Sequence, residues 1–377
     1  MDYFKESLKL HERLQGKIDF ISKAELKTKD DLSLAYSPGV AEPCREIAKD
    51  PENAYKYTIK ANTVAVISDG SAVLGLGNIG GLAGLPVMEG KCALFKAFAG
   101  VNAFPIVLDT QDTEEIIATI KHISPTIGGI NLEDISSPRC FEIEERLKAE
   151  LDIPVFHDDQ HGTAIVCLAG VINGLKITGK KKEDLKIVIN GVGAAGIAIT
   201  KLLLEYGIKD IIAVDSKGII YEGRENLNTE KEILAKITNK SLQKGTLSDA
   251  VKGRGVFIGV SVAGALTPEM VKSMASDPMV FAMANPIPEI MPDEAKAAGV
   301  KIIATGRSDF PNQLNNVLVF PGIFKGALKN RVTKITEQMK LDAAEALAAY
   351  VKNPTPEKII PSPFDEGVVD AIANVIK

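Results

Sequence analysis

The stretch "LKIVINGVGAAGIAITKLLLEYGIKDIIAVDSKG", residues 185–218, leaves this chain little choice of fold. An apolar strand runs into a glycine turn, an apolar helix follows, and a second strand ends in Asp215. Gly191, Gly193 and Gly196 keep G-x-G-x-x-G spacing, and Ala194 and Ala195 open the helix. The first glycine permits the tight turn, the second lets the backbone approach a pyrophosphate, and the third lets helix pack on strand. The helix start adds free N–H groups and a positive dipole end. Asp215 stands nineteen residues beyond Gly196, where a carboxylate accepts hydrogen bonds from an adenosine ribose. The competing reading is a tight turn with no ligand, and the complete strand–turn–helix–strand context argues against it. Asp215 would repel a 2′-phosphate, so NAD is expected. Ser216 and Lys217 beside it leave NADP possible.

At 377 residues the chain has room for two domains. From Asn62 onward strands and helices alternate. "TVAVISDGS", "AFPIVLDT", "IGGINLEDI" and "IPVFHDD" read as strands, with "LPVMEGKCALFKAFAG", entered through Pro86, "TEEIIATIKHI" and "PRCFEIEERLKAE" as helices. A long helix over "GTAIVCLAGVINGLKITG" then leads to the glycine-turn region, and "GVFIGVS", "MVFAMANP" and "VKIIATG" supply further strands. The tail is helical by its spacing. The expected fold is α/β, with one unit over about 1–160. A Rossmann-type, doubly wound parallel sheet follows over 161–377, its core at about 161–310, and the C-terminal helices pack back on the first unit.

Composition narrows the function. A net charge of −5 with interspersed Lys and Glu offers nothing for a nucleic acid or an anionic membrane. No apolar run of transmembrane length is apparent, and the charged start lacks the apolar centre of a signal peptide. Cys44, Cys92, Cys140 and Cys167 form no CxxC pair, which fits free thiols and a cytoplasmic setting.

"VFHDDQHGTA" admits three readings. His157 and His161 are spaced for a metal on one helix face, yet DDQ between a strand and a helix reads as a turn, and no H-E-x-x-H pattern is present. Satisfied loop histidines are the plainer state. Asp158 and Asp159 end a strand, where open α/β sheets gather ligands, and Glu133-Asp134 follows the preceding strand. If those strands are neighbours, the carboxylates converge and repel, and a hard cation such as Mg²⁺ or Mn²⁺ relieves them. Otherwise they are acidic loops and helix caps.

"LAYSPGV", "SDGSAVLGLGNIGGLAGLPVMEGKCALFKAFAGV", "INLEDI", "FHDDQHGTA", "FAMANP" and "NNVLVFPG" occur in the order found in malic enzymes. The chain resembles the short-subunit prokaryotic type from about Tyr36 to Gly322. The resemblance implies oxidative decarboxylation of L-malate to pyruvate and CO₂ with NAD(P)⁺ and a divalent metal. It implies Glu133, Asp134 and Asp159 as metal ligands, with Asp158 just behind them holding Lys91 in register. Lys91 would be the base, its pKa lowered by the metal, and Tyr36 the acid. Asn285 would contact substrate or nicotinamide, and Asn315 and Asn316 the malate carboxylates. Larger relatives carry a carboxylate-binding arginine where this chain has Ala72, so glycine-loop N–H groups, the asparagines or another subunit must serve. A homodimer or larger homo-oligomer is expected. Two rival functions are a malolactic enzyme, which retains its NAD, and a non-catalytic dinucleotide-binding sensor, to which acid, base and electron sink are useless.

Overall fold

A computed structural model describes residues 3–73 and 75–377. Two parallel sheets dominate it. The first has the order β2-β1-β3-β4, from β1 (Thr63–Ser68), β2 (Asn102–Val107), β3 (Gly129–Leu132) and β4 (Val155–His157). The second has the order β10-β9-β8-β5-β6-β7. It comprises β5 (Lys186–Asn190), β6 (Asp210–Asp215), β7 (Gly218–Ile219), β8 (Val256–Gly259), β9 (Met279–Ala282) and β10 (Ile302–Thr305). Among the described strands of these sheets, only the edge pairing of β7 with β6 is antiparallel. Helices cover both faces, so the strands carry apolar residues on both sides instead of alternating with polar ones. In β1, Val64 and Val66 enter one core while Ala65 and Ile67 enter another.

The helix Asp158–Thr178 joins the two sheets. Fourteen of its residues are buried, and Gly170 and Gly174 let it approach Phe281 and Met279 on β9. Among the described residues it alone has the length and composition to cross a membrane, yet 72% of that window is buried inside the protein. It is the core helix between the two sheets. The C-terminal helices Phe320–Asn330 and Glu337–Tyr350 share its core with β1 and β5 residues.

Both sheets reverse their strand order, at β1/β3 and at β5/β8, and such reversals open a crevice beyond the strands' carboxyl ends. Two local expectations are corrected. DDQ is no turn, because Asp158 opens the helix directly from β4, where acidic residues suit the N-terminal dipole. Pro86 does not start its helix, which spans Gly81–Leu94 and carries the proline in its second turn.

Truncating Leu168, fully buried at this junction, removes packing that its neighbours cannot replace. Leu168→Ala is expected to cost about 2–5 kcal/mol in urea unfolding, whereas Leu82→Ala, at an exposed leucine, should stay within about 0.5 kcal/mol.

Candidate active site

The loops at the carboxyl ends of both sheets enclose a cavity of about 870 Å³. From the first half come Lys91 on the helix Gly81–Leu94, Glu133 and Asp134 just after β3, and Asp159 in the first turn of the helix after β4. From the second come Gly193, Ala194, Ala195, Gly196 and Asn285, with Asn315 and Asn316 between them.

Among the described residues, Glu133, Asp134 and Asp159 form the group whose ligand oxygens lie within 4.8 Å of one another. Neither histidine of the 155–164 stretch supplies an atom to it. Asp134 adopts φ 53°, a left-handed conformation uncommon outside glycine, and its N–H donates to Asp159 Oδ2 at 2.8 Å. Its own Oδ2 is buried with no hydrogen-bond partner. Asn131 Nδ2 donates to Glu133 Oε2 at 2.9 Å. All three ligands are carboxylates, the donor set preferred by a hard divalent cation.

Lys91 is buried beside them. Its Nζ lies 2.5 Å from Asp158 Oδ2, 3.0 Å from Glu133 Oε1 and 3.2 Å from Asn316 Oδ1, over the Phe320 ring. Burial pulls the Lys91 pKa down, but Asp158, Glu133 and Asp159 outweigh it and hold the ammonium above its ordinary value. The carboxylates thus act on Lys91 in the direction opposite to the lowering expected of a metal. Burial, opposed by Lys91, pushes Glu133 and Asp158 each up to about 7. For Asp134, burial and then the Asp159 and Glu133 charges push it up to about 9.

The glycine turn closes the other wall. A Cβ at Gly191 would meet Val260 O at 2.5 Å, and one at Gly196 would meet Gly191 O at 1.8 Å. Both are demanded by the backbone. Gly193 faces open space, leaving room for a ligand.

Two sequence-predicted residues stand elsewhere. Tyr36 ends the short helix Lys29–Ala35, is 68% exposed and does not line the cavity. Asp215 is already engaged: its carboxylate pairs with Arg224 at 2.6 Å and Lys231 at 2.8 Å, and accepts from Lys217 N at 2.9 Å. Against the cost of burial, those hydrogen bonds bring its pKa down to about 2. His11, Lys17 and Thr163 line the cavity and were missed. Nothing in their local pattern distinguishes them from surface or core residues.

Residues 15–148 match the family model of the malic enzyme N-terminal domain, and residues 160–370 that of the malic enzyme NAD binding domain. The chain belongs to the malic enzyme family. It is 59% identical over 379 positions to a bifunctional malic/malolactic enzyme of Bacillus subtilis, covering 100% of this chain and 92% of that one. It is 60% identical over 363 positions to an NAD-dependent malic enzyme of Geobacillus stearothermophilus, covering 96% and 76%. The crystal structure of NAD-dependent malic enzyme from Thermotoga maritima superposes with a TM-score of 0.96 at 52% identity, covering 98% of each chain.

The raised carboxyl values set a stability trend. A native state that holds more protons than the unfolded chain loses stability as pH rises toward its folded pKa values. Burial lowers the buried His157 and His161 to about 4, and they act oppositely, but only below their unfolded value of about 6.5. Metal-free protein should therefore lose Tm between about pH 6.5 and about pH 8, and Mg²⁺ or Mn²⁺ should flatten the slope. A Tm series in EDTA and in metal checks it; an identical slope in both contradicts it.

Proposed function

We propose that this chain oxidatively decarboxylates L-malate to pyruvate and CO₂, reducing NAD(P)⁺ with Mg²⁺ or Mn²⁺ bound at Glu133, Asp134 and Asp159. The convergence of these three carboxylates with Lys91 and the Gly193–Gly196 turn on one cavity carries the reading. The orphaned Asp134 Oδ2 supports it, since a buried oxygen without a partner is what a cation would satisfy. When bound, the cation supplies Lewis-acid polarisation at the substrate's C2 oxygen. The dinucleotide would supply the hydride acceptor, and the Gly193–Gly196 turn is what would hold its pyrophosphate.

Lys91 handles the hydroxyl proton. Asp158 holds Nζ in place at 2.5 Å; a cation bound at the neighbouring carboxylates would offset their pull and lower the ammonium pKa, and as the free amine Lys91 would accept the proton from the C2 hydroxyl. Hydride leaves C2, the β-keto acid loses CO₂, and C3 is protonated by Tyr36. Asn316 steadies Lys91 at 3.2 Å, and Asn315 and Asn285, which line the cavity, would contact the substrate and the nicotinamide. Lys17 replaces the missing arginine as the cation for malate's remote carboxylate, because it lines the cavity together with Ala72. The part through about residue 160 serves substrate and metal, and the part beyond serves the dinucleotide.

Tyr36, exposed and off the cavity of its own chain, reaches the site of a second copy. It shares an exposed apolar segment with Leu32, Leu34 and Val40, and burying that face in a homodimer carries Tyr36 to the neighbour's site. NADP is accepted beside NAD, because Arg224 and Lys231 meet Asp215 with two positive charges and remove its repulsion of a 2′-phosphate.

A steady-state assay with malate, each dinucleotide, and metal added or chelated tests the reading. Metal-dependent appearance of reduced nicotinamide is expected, falling about 10²–10⁴-fold in kcat for Lys91→Ala. Malate consumption without it, with lactate formed, favours the malolactic reading suggested by the name of the Bacillus subtilis relative. Mixing Lys91→Ala with Tyr36→Phe protein under subunit exchange should restore about a quarter of wild-type activity, since one site in each mixed dimer is intact. No recovery means that both residues act from one chain.

A further inference from the structure

Behind the carboxylate cluster lies a second set of buried charges that the proposed chemistry does not use. Glu144, on the helix Arg139–Glu150, is buried against the first turn of the 158–178 helix. Its carboxylate accepts from His157 N at 3.1 Å and from Gln160 Nε2 at 3.3 Å, and lies 2.8 Å from His161 Nε2. Lys148 pairs with it at 2.6 Å. His157, the residue before the helix, makes no capping bond through its own side chain, and a carboxylate from another helix meets its backbone N–H instead.

The contact continues outward. His161 Nδ1 lies 3.1 Å from Lys340 Nζ on the helix Glu337–Tyr350, and Lys340 is 2% exposed and paired with Glu337 at 2.6 Å. An ammonium only donates, so Nδ1 accepts, and the neutral ring carries its proton on Nε2, where it donates to Glu144. Gln160, His161 and Ala164 face a cavity of about 410 Å³ that holds this network, while Asp159 and Thr163 face the active-site cavity. The front of the turn has no slack. A Cβ at Gly162 would fall 2.0 Å from Asp158 Oδ1 and 2.9 Å from Asn316 Cβ.

We propose that Glu144 is a positioning residue for the cation site: it sets where Asp158 and Asp159 stand, and Lys340, acting through His161, makes that setting depend on the docked C-terminal helix. The proposal rests on the metal reading above. With Asn316 close in front of the turn, its position is set from behind by the Glu144 carboxylate and by what fixes that carboxylate. Groups that orient metal ligands from behind typically govern affinity by about 10–100-fold.

Glu144→Gln keeps the shape and removes the charge. Free Mn²⁺ followed by electron paramagnetic resonance during titration should show about 10-fold weaker binding. Affinity for the reduced dinucleotide, read by its fluorescence, should be unchanged. Lys340→Met, which leaves Glu144 in place, should weaken Mn²⁺ binding in the same direction by less, and it carries the test if Glu144→Gln does not fold. A lowered Tm with wild-type Mn²⁺ affinity in the folded variant means a purely structural role and overturns the proposal. Wild-type protein that binds no Mn²⁺ overturns the metal reading itself, and with it this one.

Discussion

Four carboxylates, Glu133, Asp134, Asp158 and Asp159, crowd around one ammonium, and most of the architecture serves to hold them there. Left alone the cluster is unfavourable: burial first, and repulsion between neighbouring carboxylates after it, raises the four carboxyl pKa values. Lys91 offsets part of this through close contacts to Asp158 and Glu133. The remainder is tolerated because the groups hang from two rigid neighbours, β3 and β4, paired in parallel. Asp134 in its left-handed conformation and its unpartnered oxygen are the local costs, of the kind that cluster at functional sites.

The helix from Asp158 to Thr178 gives this arrangement its reach. Its first turn presents carboxylates to the cavity, and its buried body runs between the sheets into the core shared with β5 and β8. The glycine turn after β5 and the acidic loop after β3 therefore face one another across a single cavity. An enzyme that must bring a metal-bound hydroxy acid to a nicotinamide needs that juxtaposition more than any individual contact.

The α/β class was legible because glycine spacing and strand composition are local properties, and the Gly191–Gly196 turn lies where its pattern puts it. The carboxylate cluster was legible as adjacent acidic pairs at strand ends, although only the pairing of β3 with β4 makes them neighbours. The pairing of Asp215 was not legible, because its partners, Arg224 and Lys231, arrive from a loop and a helix that its own strand does not announce. Glu144 and Lys340 were invisible for a related reason: each is an ordinary charged residue on an amphipathic helix until tertiary packing buries it. The DDQ segment was misread as a turn because strand-like and helix-like residues flank it. In the fold the helix begins at once, and the buried Glu144 carboxylate meets its first turn.

Anomalous scattering from a crystal grown with Mn²⁺, oxalate and a dinucleotide tests the central claim most directly. A single peak bounded by Glu133, Asp134 and Asp159, with oxalate on it and the nicotinamide facing, is the expected result. Manganese absent from those three carboxylates while oxalate and dinucleotide are bound, or held instead by His157 or His161, would contradict the account.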